Sequence, residues 1–250
     1  MRSLIITDLH HKHPQEIVES AMDLGIEKIV CLGDIETPQI LDYLLKLKIK
    51  KRIIIGDHEY HHSHGMEIFS SSMKHNCEYY WNMWSSTPAG KFVLEYGSTK
   101  NTRPGKTKGI KVVDKIGDKK ICYVHGSLLE KEPMHPGMNG IMWGRLLCDY
   151  YDEKKISNFR VMQNEGYSIL FRGHDHTNSV HTFIEEIHEF KPNKVKIESK
   201  EKLYETIIQL DKDRLNMVTV GAFERGNCCI FDEDKWTARF TSERFLKHKE

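Results

Sequence analysis

Five times in this chain an apolar run stops at a glycine, an aspartate or a histidine, and polar residues follow at once. Leu4-Ile5-Ile6-Thr7 runs into Asp8-Leu9-His10, and Ile29-Val30-Cys31-Leu32 into Gly33-Asp34-Ile35-Glu36. Arg52-Ile53-Ile54-Ile55 runs into Gly56-Asp57-His58-Glu59, Lys120 to Val124 into His125-Gly126-Ser127, and Ser168 to Arg172 into Gly173-His174-Asp175-His176. Short apolar runs bounded by turn residues read as strands buried on both faces, and open α/β folds bind ligands beyond the carboxyl ends of such strands. One strand–Gly–Asp ending is usually only a turn. Five in order, each carrying a carboxylate or an imidazole, are hard to ascribe to chance.

Helical patterns separate the first three runs. Pro14 suits a first helical turn, Ile17, Val18, Ala21, Met22 and Leu24 keep helical spacing, and Gly25 is the stop. Thr37-Pro38 opens a second helix with Ile40, Leu41, Leu44 and Leu45 on its apolar face. Strand–helix–strand–helix–strand with short links implies right-handed parallel crossovers. From Tyr60 to Lys108 the pattern loosens. Met66, Phe69, Met73, Cys77, Tyr80, Trp81 and Trp84 fall near helical spacing, Phe92 to Tyr96 reads as a strand, and Lys100 to Lys108 as an exposed loop.

Residues 139–165 read as two helices carrying Ile141, Met142, Leu146, Leu147, Ile156, Phe159 and Met162. Runs at 180–183, 207–210, 217–220 and a last strand at Cys228 to Phe231 make the final third strand-rich and antiparallel in character, with charged residues 185–205 as separators. No internal repeat or linker stands out. The expectation is a single domain over 1–250 with a substrate-facing insertion at about 60–108, although core packing accounts for that insertion's apolar residues more simply.

At 250 residues, 39% hydrophobic and 29% charged, the chain has the composition of an ordinary folded protein. Thirty-seven basic against thirty-six acidic side chains leave a net charge of +1, so nucleic acid is not indicated by charge. The six cysteines form no C-x-x-C pair, and Cys31, Cys122 and Cys228 sit inside apolar runs, which suggests free thiols in a reducing compartment. A first strand beginning by Ser3 leaves no room for a signal peptide, and no apolar run is long enough to span a bilayer. The expected location is cytoplasmic, with no membrane partner.

The chemistry lies in the endings. Carboxylates and imidazoles together are the ligand set of zinc, manganese and iron, whereas carboxylates alone suit magnesium or calcium better. Two metals about 3.5–4 Å apart need roughly seven protein ligands, one of them bridging, in a geometry that clamps phosphoryl oxygens. Asp8, His10, Asp34, Asp57, His125, His174 and His176 are seven candidates.

As a set, Asp8-Leu9-His10, Gly33-Asp34, Gly56-Asp57-His58-Glu59, His125 and Gly173-His174-Asp175-His176 resemble the ordered motifs of the calcineurin-like metallophosphoesterases, from residue 4 to about 180. The tail Val220-Gly221-Ala222-Phe223-Glu224-Arg225-Gly226-Asn227 and its following strand are similar to the closing segment of small bacterial and archaeal phosphodiesterases. The resemblance implies an α/β fold, a four-layer α-β-β-α sandwich with two central mixed sheets and the metal site at the sheet ends. It implies that Asp8, His10 and His176 hold one metal, that Asp34 bridges, and that Asp57, His125 and His174 hold the second. The two ions would be manganese, iron or zinc. His58 would act as the catalytic acid, and a metal-bridging hydroxide as the nucleophile.

Two departures qualify the family pattern. Position 57 is usually asparagine. Two divalent ions, three carboxylates and a hydroxide sum to about zero, whereas asparagine would leave about +1. After Gly33-Asp34, protein phosphatases continue to an aspartate and an arginine, but this chain has Thr37 and Pro38, which argues against a phosphoprotein substrate. The leading expectation is a metal-dependent hydrolase of phosphodiester or phosphoanhydride bonds in a small nucleotide-like, phosphorylated substrate. The alternatives are a DNA or RNA nuclease of the same superfamily and a catalytically weak scaffold that keeps the fold.

Substrate-binding residues and oligomeric state are unassigned. His11, His13, His61, His62 and His64 follow the motif strands and flank the site or merely line solvated loops. Arg145 and Arg225 are phosphate-binding candidates with surface salt bridges as the plainer account. Asp175 is expected to point away from its histidine neighbours, and either Glu36 or Glu59 to orient His58.

Overall fold

The structure, a computed structural model, describes residues 1–64, 81–96, 108–129, 131–132, 135–139, 152–186, 194–203 and 205–242. Its first half alternates strands and helices: β1 (Arg2–Ile6), α1 (Gln15–Asp23), β2 (Lys28–Cys31), α2 (Pro38–Lys46), β3 (Lys50–Ile54) and α3 (Asp57–His64). There follow α4 (Pro88–Tyr96), β4 (Lys108–Gly109), β5 (Lys111–Ile116), β6 (Lys119–Val124), a small hairpin β7 (Lys131–Glu132) and β8 (His135–Asn139), α5 (Asp152–Glu165) and β9 (Tyr167–Arg172). The last third is β10 (Ser179–Glu186), β11 (Lys194–Glu201), β12 (Thr206–Gln209), β13 (Asn216–Thr219), β14 (Asn227–Asp232) and β15 (Thr237–Ser242).

The larger strands form two mixed sheets. One has seven strands in the order β12-β15-β14-β1-β2-β3-β4, and the other six in the order β11-β10-β13-β9-β6-β5. β1 to β4 run parallel, as the crossovers through α1 and α2 require. β6, β9 and β13 are the parallel heart of the second sheet. Hairpin strands complete both sheets antiparallel.

Strand alternation explains the layers. Leu4 and Ile6 of β1 join Ile17, Val18 and Ala21 of α1 and Ile40, Leu41 and Leu44 of α2 in one apolar cluster. Ile5, between them, faces the opposite way and joins Tyr123, Phe171 and Phe231 in the layer between the sheets. Phe171 and Phe231, from different sheets, meet with ring centroids 5.1 Å apart. The architecture is the expected α-β-β-α sandwich.

Several local expectations fail for identifiable reasons. Phe92 to Tyr96 is helical, as the end of α4, because Ala89, Phe92 and Val93 bury one face at helical spacing behind Pro88. Its short apolar core mimics a strand when read without the four residues before it. Charged residues 194–201 form β11 rather than a separator, and a further strand, β15, follows the run at Cys228 to Phe231. β5 was not recognised either. The loosely helical stretch 66–80, residues 141–151 and most of the 100–108 loop lie outside the described residues. Among the described residues no helix is long and apolar enough to cross a membrane.

Candidate metal centre

The five strand endings meet at one edge of the sandwich because β1, β2 and β3 are parallel neighbours and β6 and β9 are parallel neighbours in the facing sheet. Pairing continues past the regular strands: Asp8 N donates to Gly33 O, His10 N to Asp34 O, and Gly173 N to His125 O. Asp8, His10, Asp34, His174 and His176 all have positive φ, between 48° and 70°. Side-chain-bearing residues seldom adopt this left-handed conformation, and where they do, its strain gathers at functional sites. Here it turns alternate side chains of two loops toward a common centre. Gly56 is required by crowding, since a Cβ there would strike the backbone and carboxylate of Asp34. One at Gly173 would strike Thr7.

The seven strand-end candidates come together. His125 Nε2 lies 3.0 Å from Asp57 Oδ1, 3.2 Å from Asp34 Oδ2 and 4.0 Å from Asp8 Oδ1. His174 Nδ1 is 3.5 Å from Asp57 Oδ1, and His176 Nε2 is 3.2 Å from Asp8 Oδ1. Ligand atoms of Asp8, Asp34, His125 and His174 lie within 4.8 Å of one another, as do those of Asp8, His10 and His176. Asp34, Asp57 and His58 form a further such group.

This donor set fits metal ions. His125 Nδ1 is 2.8 Å from Leu32 O, so it carries the proton of the neutral ring and turns the Nε2 lone pair onto the carboxylates. Among the described residues Asp8 Oδ1 and Asp57 Oδ1 are buried without a hydrogen bond, despite imidazole nitrogens at 3.2 and 3.0 Å. Close approach without hydrogen-bond geometry is what separate donors around a shared cation show. Electrostatics agree. Burial opposes a proton on His125, yet Asp34, Asp57 and Asp8 outweigh it and raise its pKa well above the usual range. Burial and the neighbouring Asp57 raise that of Asp34. Burial also disfavours charge on Asp8 and Asp57, but histidine contacts hold both low. The pocket attracts positive charge.

His58 stands at the rim, its side chain 38% exposed, with Nε2 3.9 Å from Asp34 Oδ2. Glu36 is the residue that orients it: Oε1 lies 2.9 Å from His58 Nδ1 and also 2.9 Å from His10 Nδ1. Burial works against protonation of His58, but Glu36 and the carboxylates of Asp34, Asp57 and Glu59 raise its pKa to about 10. Glu59 has another task. It is buried and accepts backbone N–H groups of Asp34 (3.1 Å), Gly56 (2.8 Å) and Ile35, tying two strand ends together. Asp175 turns away from its histidine neighbours onto the buried guanidinium of Arg172, which also donates to Gly126 O and Thr219 Oγ1.

Outer candidates are more dispersed. Exposed His11 reaches Glu36 Oε2 at 2.5 Å, and His13 packs against the Tyr43 ring. His61, His62 and His64 continue α3. Exposed Arg225 has Nε 3.7 Å from Glu224. Arg145 lies outside the described residues. Glu224 itself escaped the sequence reading, yet its Oε1 is 3.7 Å from His176 Nδ1 and 4.0 Å from His10 Nε2. It arrives with the turn before β14, where Phe223 N and Glu224 N donate to Thr7 O and Asp8 O. A return of β14 alongside β1 was the signal that could have found it.

Fold and site together define a two-sheet α/β sandwich with a candidate metal centre at its strand ends. The profile of the calcineurin-like phosphoesterase superfamily domain matches residues 1–189, and the chain belongs to that superfamily. Among solved structures, a metallophosphoesterase from Sphaerobacter thermophilus is 17% identical with a TM-score of 0.58, over 97% of this chain and 87% of that one. It shares the fold. An archaeal phosphodiesterase (12% identical, TM-score 0.46, 96% and 98% covered) and zinc-complexed Vps29 from Entamoeba histolytica (14%, 0.42, 94% and 87%) overlap more loosely and bear no further weight. A comparison with curated proteins found no match.

Proposed function

We propose that the chain hydrolyses phosphodiester or phosphoanhydride bonds in a small nucleotide-like substrate. The observation that carries this reading is the convergence of three aspartates and four histidines from five strand ends, with buried carboxylate oxygens facing imidazole nitrogens. In this reading Asp8, His10 and His176 would hold one ion, Asp57, His125 and His174 would hold a second, and Asp34 would serve both. Manganese, iron and zinc suit these donors. When bound, such a pair supplies Lewis acidity toward phosphoryl oxygens and an activated water.

The remaining work falls to the chain's own groups. Glu36 accepts from His58 Nδ1 and thereby fixes the ring with Nε2 toward Asp34. From that position the Nε2 proton is delivered to the leaving oxygen. The same Glu36 oxygen accepts from His10 Nδ1 and leaves Nε2 available as a ligand atom. Leu32 O does the same for His125. Asp57, a carboxylate where the family usually has an amide, lowers the positive charge of the site. A phosphodiester monoanion is therefore favoured over a phosphomonoester dianion.

The test is a panel of bis-p-nitrophenyl phosphate, cyclic nucleotides, dinucleoside polyphosphates, phosphoprotein and DNA, with manganese, zinc and iron each supplied. Two bound ions per chain by elemental analysis and turnover of small diesters or anhydrides are expected. His58→Ala should lower kcat by about 10²–10⁴-fold with metal content retained. No turnover with any metal would sink the hydrolase reading in favour of a scaffold. Turnover of DNA alone, with binding that weakens steeply in salt, would turn it into a nuclease.

A further inference from the structure

An imidazole binds an ion best when an acceptor holds its other nitrogen, which fixes the tautomer and makes the ligating lone pair more basic. Two of the strand-end histidines have such an acceptor in direct contact. His10 Nδ1 lies 2.9 Å from Glu36 Oε1, and His125 Nδ1 lies 2.8 Å from Leu32 O. His176 is placed in the same manner. It presents Nε2 to Asp8 Oδ1, at 3.2 Å, and Nδ1 to Glu224 Oε1, at 3.7 Å. Among the described residues, the ligand atoms of Asp8, His10 and His176 cluster within 4.8 Å of one another, and Glu224 does not join them. Glu224 therefore approaches His176 from the side that Asp8 leaves open.

Contacts with both ligand-bearing loops hold Glu224 in that place. It belongs to a single 3₁₀ turn, Phe223–Arg225, followed by Gly226 at a φ of 85°. Toward the first strand ending, Phe223 N donates to Thr7 O at 2.8 Å and Glu224 N donates to Asp8 O at 3.2 Å. Toward the fifth, the tie is Asn178, which closely follows His176 in the chain. Asn178 Oδ1 accepts from Gly221 N at 2.7 Å, and its Nδ2 donates to Asn227 Oδ1 at 3.3 Å. Asn178, Asn227 and Phe223 are all buried. Buried amides with their hydrogen bonds satisfied fix the segments they join. The turn thus keeps Glu224 in register with Asp8, His10 and His176.

Two other groups face the same carboxylate. His10 Nε2 is 4.0 Å away, but Glu36 already holds the far nitrogen of that ring. Arg225 Nε lies 3.7 Å from Glu224 Oε1, with its side chain 62% exposed, where an ion pair is worth little. A separation of 3.7 Å from His176 is longer than a direct hydrogen bond. A carboxylate that is 37% exposed closes it by a small rotation or through one water.

We propose, on the two-ion reading above, that Glu224 is a positioning residue for His176. Its carboxylate accepts the Nδ1 proton and so keeps Nε2 directed at the ion held with Asp8 and His10. Glu36 and Leu32 come from the second strand ending, whereas Glu224 lies beyond residues 1–189, the part of the chain that the family profile matches. One ion of the pair then depends on the tail for its affinity.

Metal-stripped protein titrated with zinc against a chromophoric chelator measures both ions without recourse to turnover. The parent should bind two. Glu224→Ala should weaken one of them about 10-fold or more and leave the other, and the urea midpoint, unchanged. Glu224→Gln, which keeps an accepting oxygen, should lose less. In ¹H–¹⁵N spectra of the zinc-loaded protein, the His176 Nδ1 proton should be visible in the parent and lost to exchange with water in Glu224→Ala. Two ions held as tightly by Glu224→Ala as by the parent overturn the proposal and leave the hydrolase reading standing. Equal weakening of both ions with a lower urea midpoint also overturns it, since that marks a merely structural role. So does a Glu224→Gln as weak as Glu224→Ala, which would reduce the effect to charge. A parent that binds no zinc overturns the two-ion reading, and the role of Glu224 with it.

Discussion

One oxygen of Glu36 serves two imidazoles, at 2.9 Å from His10 Nδ1 and 2.9 Å from His58 Nδ1. Contacts with both rings hold its carboxylate well below the usual range, so it is charged whenever the protein is folded near neutral pH. Glu36→Gln keeps the shape and removes the charge. It should lower kcat on a phosphodiester by about 10²-fold, since general acid catalysis is worth that much and His58 loses its orienting partner. Metal at the His10 side should weaken about 10-fold, as loss of such an outer partner usually costs. Unchanged kcat with unchanged metal content would remove Glu36 from the site. Asp57 raises a separate question. Asp57→Asn restores the family's usual residue and adds about one positive charge to the loaded centre. Turnover of a dianionic monoester should rise relative to a diester, and preference for a trivalent ion should fall. Kinetics on both substrates with elemental analysis decide it, and constancy in both defeats the charge argument. The seven strand-end residues could be found from order alone, because they follow the ends of five successive apolar runs. Choosing Glu36 over Glu59 could not, since it depends on how α3 is rotated against the turn at Asp34.

Turns, rather than strands, set the geometry of the site. Five of its residues hold positive φ, and the neighbouring turns are locked by buried polar groups. Glu59 joins the second and third strand endings through three backbone N–H groups. Arg172, fully buried at the end of β9, joins the fourth and fifth by donating to Gly126 O and pairing with Asp175. Breaking a buried pair from one side is costly because it strands the other charge. Arg172→Met should therefore destabilise by roughly 3–5 kcal/mol, and adding Asp175→Asn should recover part of that loss. Urea denaturation of both singles and the double measures the coupling; a double as unstable as the sum of the singles would show that the charges do not matter to one another. Sequence periodicity revealed the parallel elements because they are buried on both faces. It failed where only one face is buried: β11 is a charged edge strand, and β15 carries Thr237 and Arg239 on its partly exposed side. α4 was misread because five residues cannot separate a strand from the end of a helix.

Across the whole molecule, two apolar layers hold the sandwich together, and the four thiols among the described residues lie inside them. Cys31, Cys122 and Cys228 belong to the layer under the helices, and Cys229 to the layer between the sheets. All four are buried thiols outside any disulfide among the described residues. Burial raises the Cys122 thiol from an ordinary value of 9.0 to about 12, and raises Cys31 and Cys229 as well. The sign of the consequence follows from which state holds the proton. Below pH 9 these thiols are protonated in both the folded and the unfolded chain, so they impose no pH dependence. Between pH 9 and about 12 the unfolded chain releases the Cys122 proton and the folded chain keeps it, so stability falls as pH rises. Each such thiol shifts the folding equilibrium by up to roughly tenfold per pH unit in that window. The urea midpoint should drop from pH 8.5 to pH 10.5 (on the order of two units, enough to resolve the slope). Cys122→Ala, which has nothing to ionise there, should drop less. The native protein should also leave these four cysteines unmodified by a thiol reagent until it unfolds, because the reactive thiolate is suppressed and covered. A midpoint slope identical in the parent and Cys122→Ala, or rapid native labelling at Cys122, would show that this strand is not buried between helix and sheet as the fold requires.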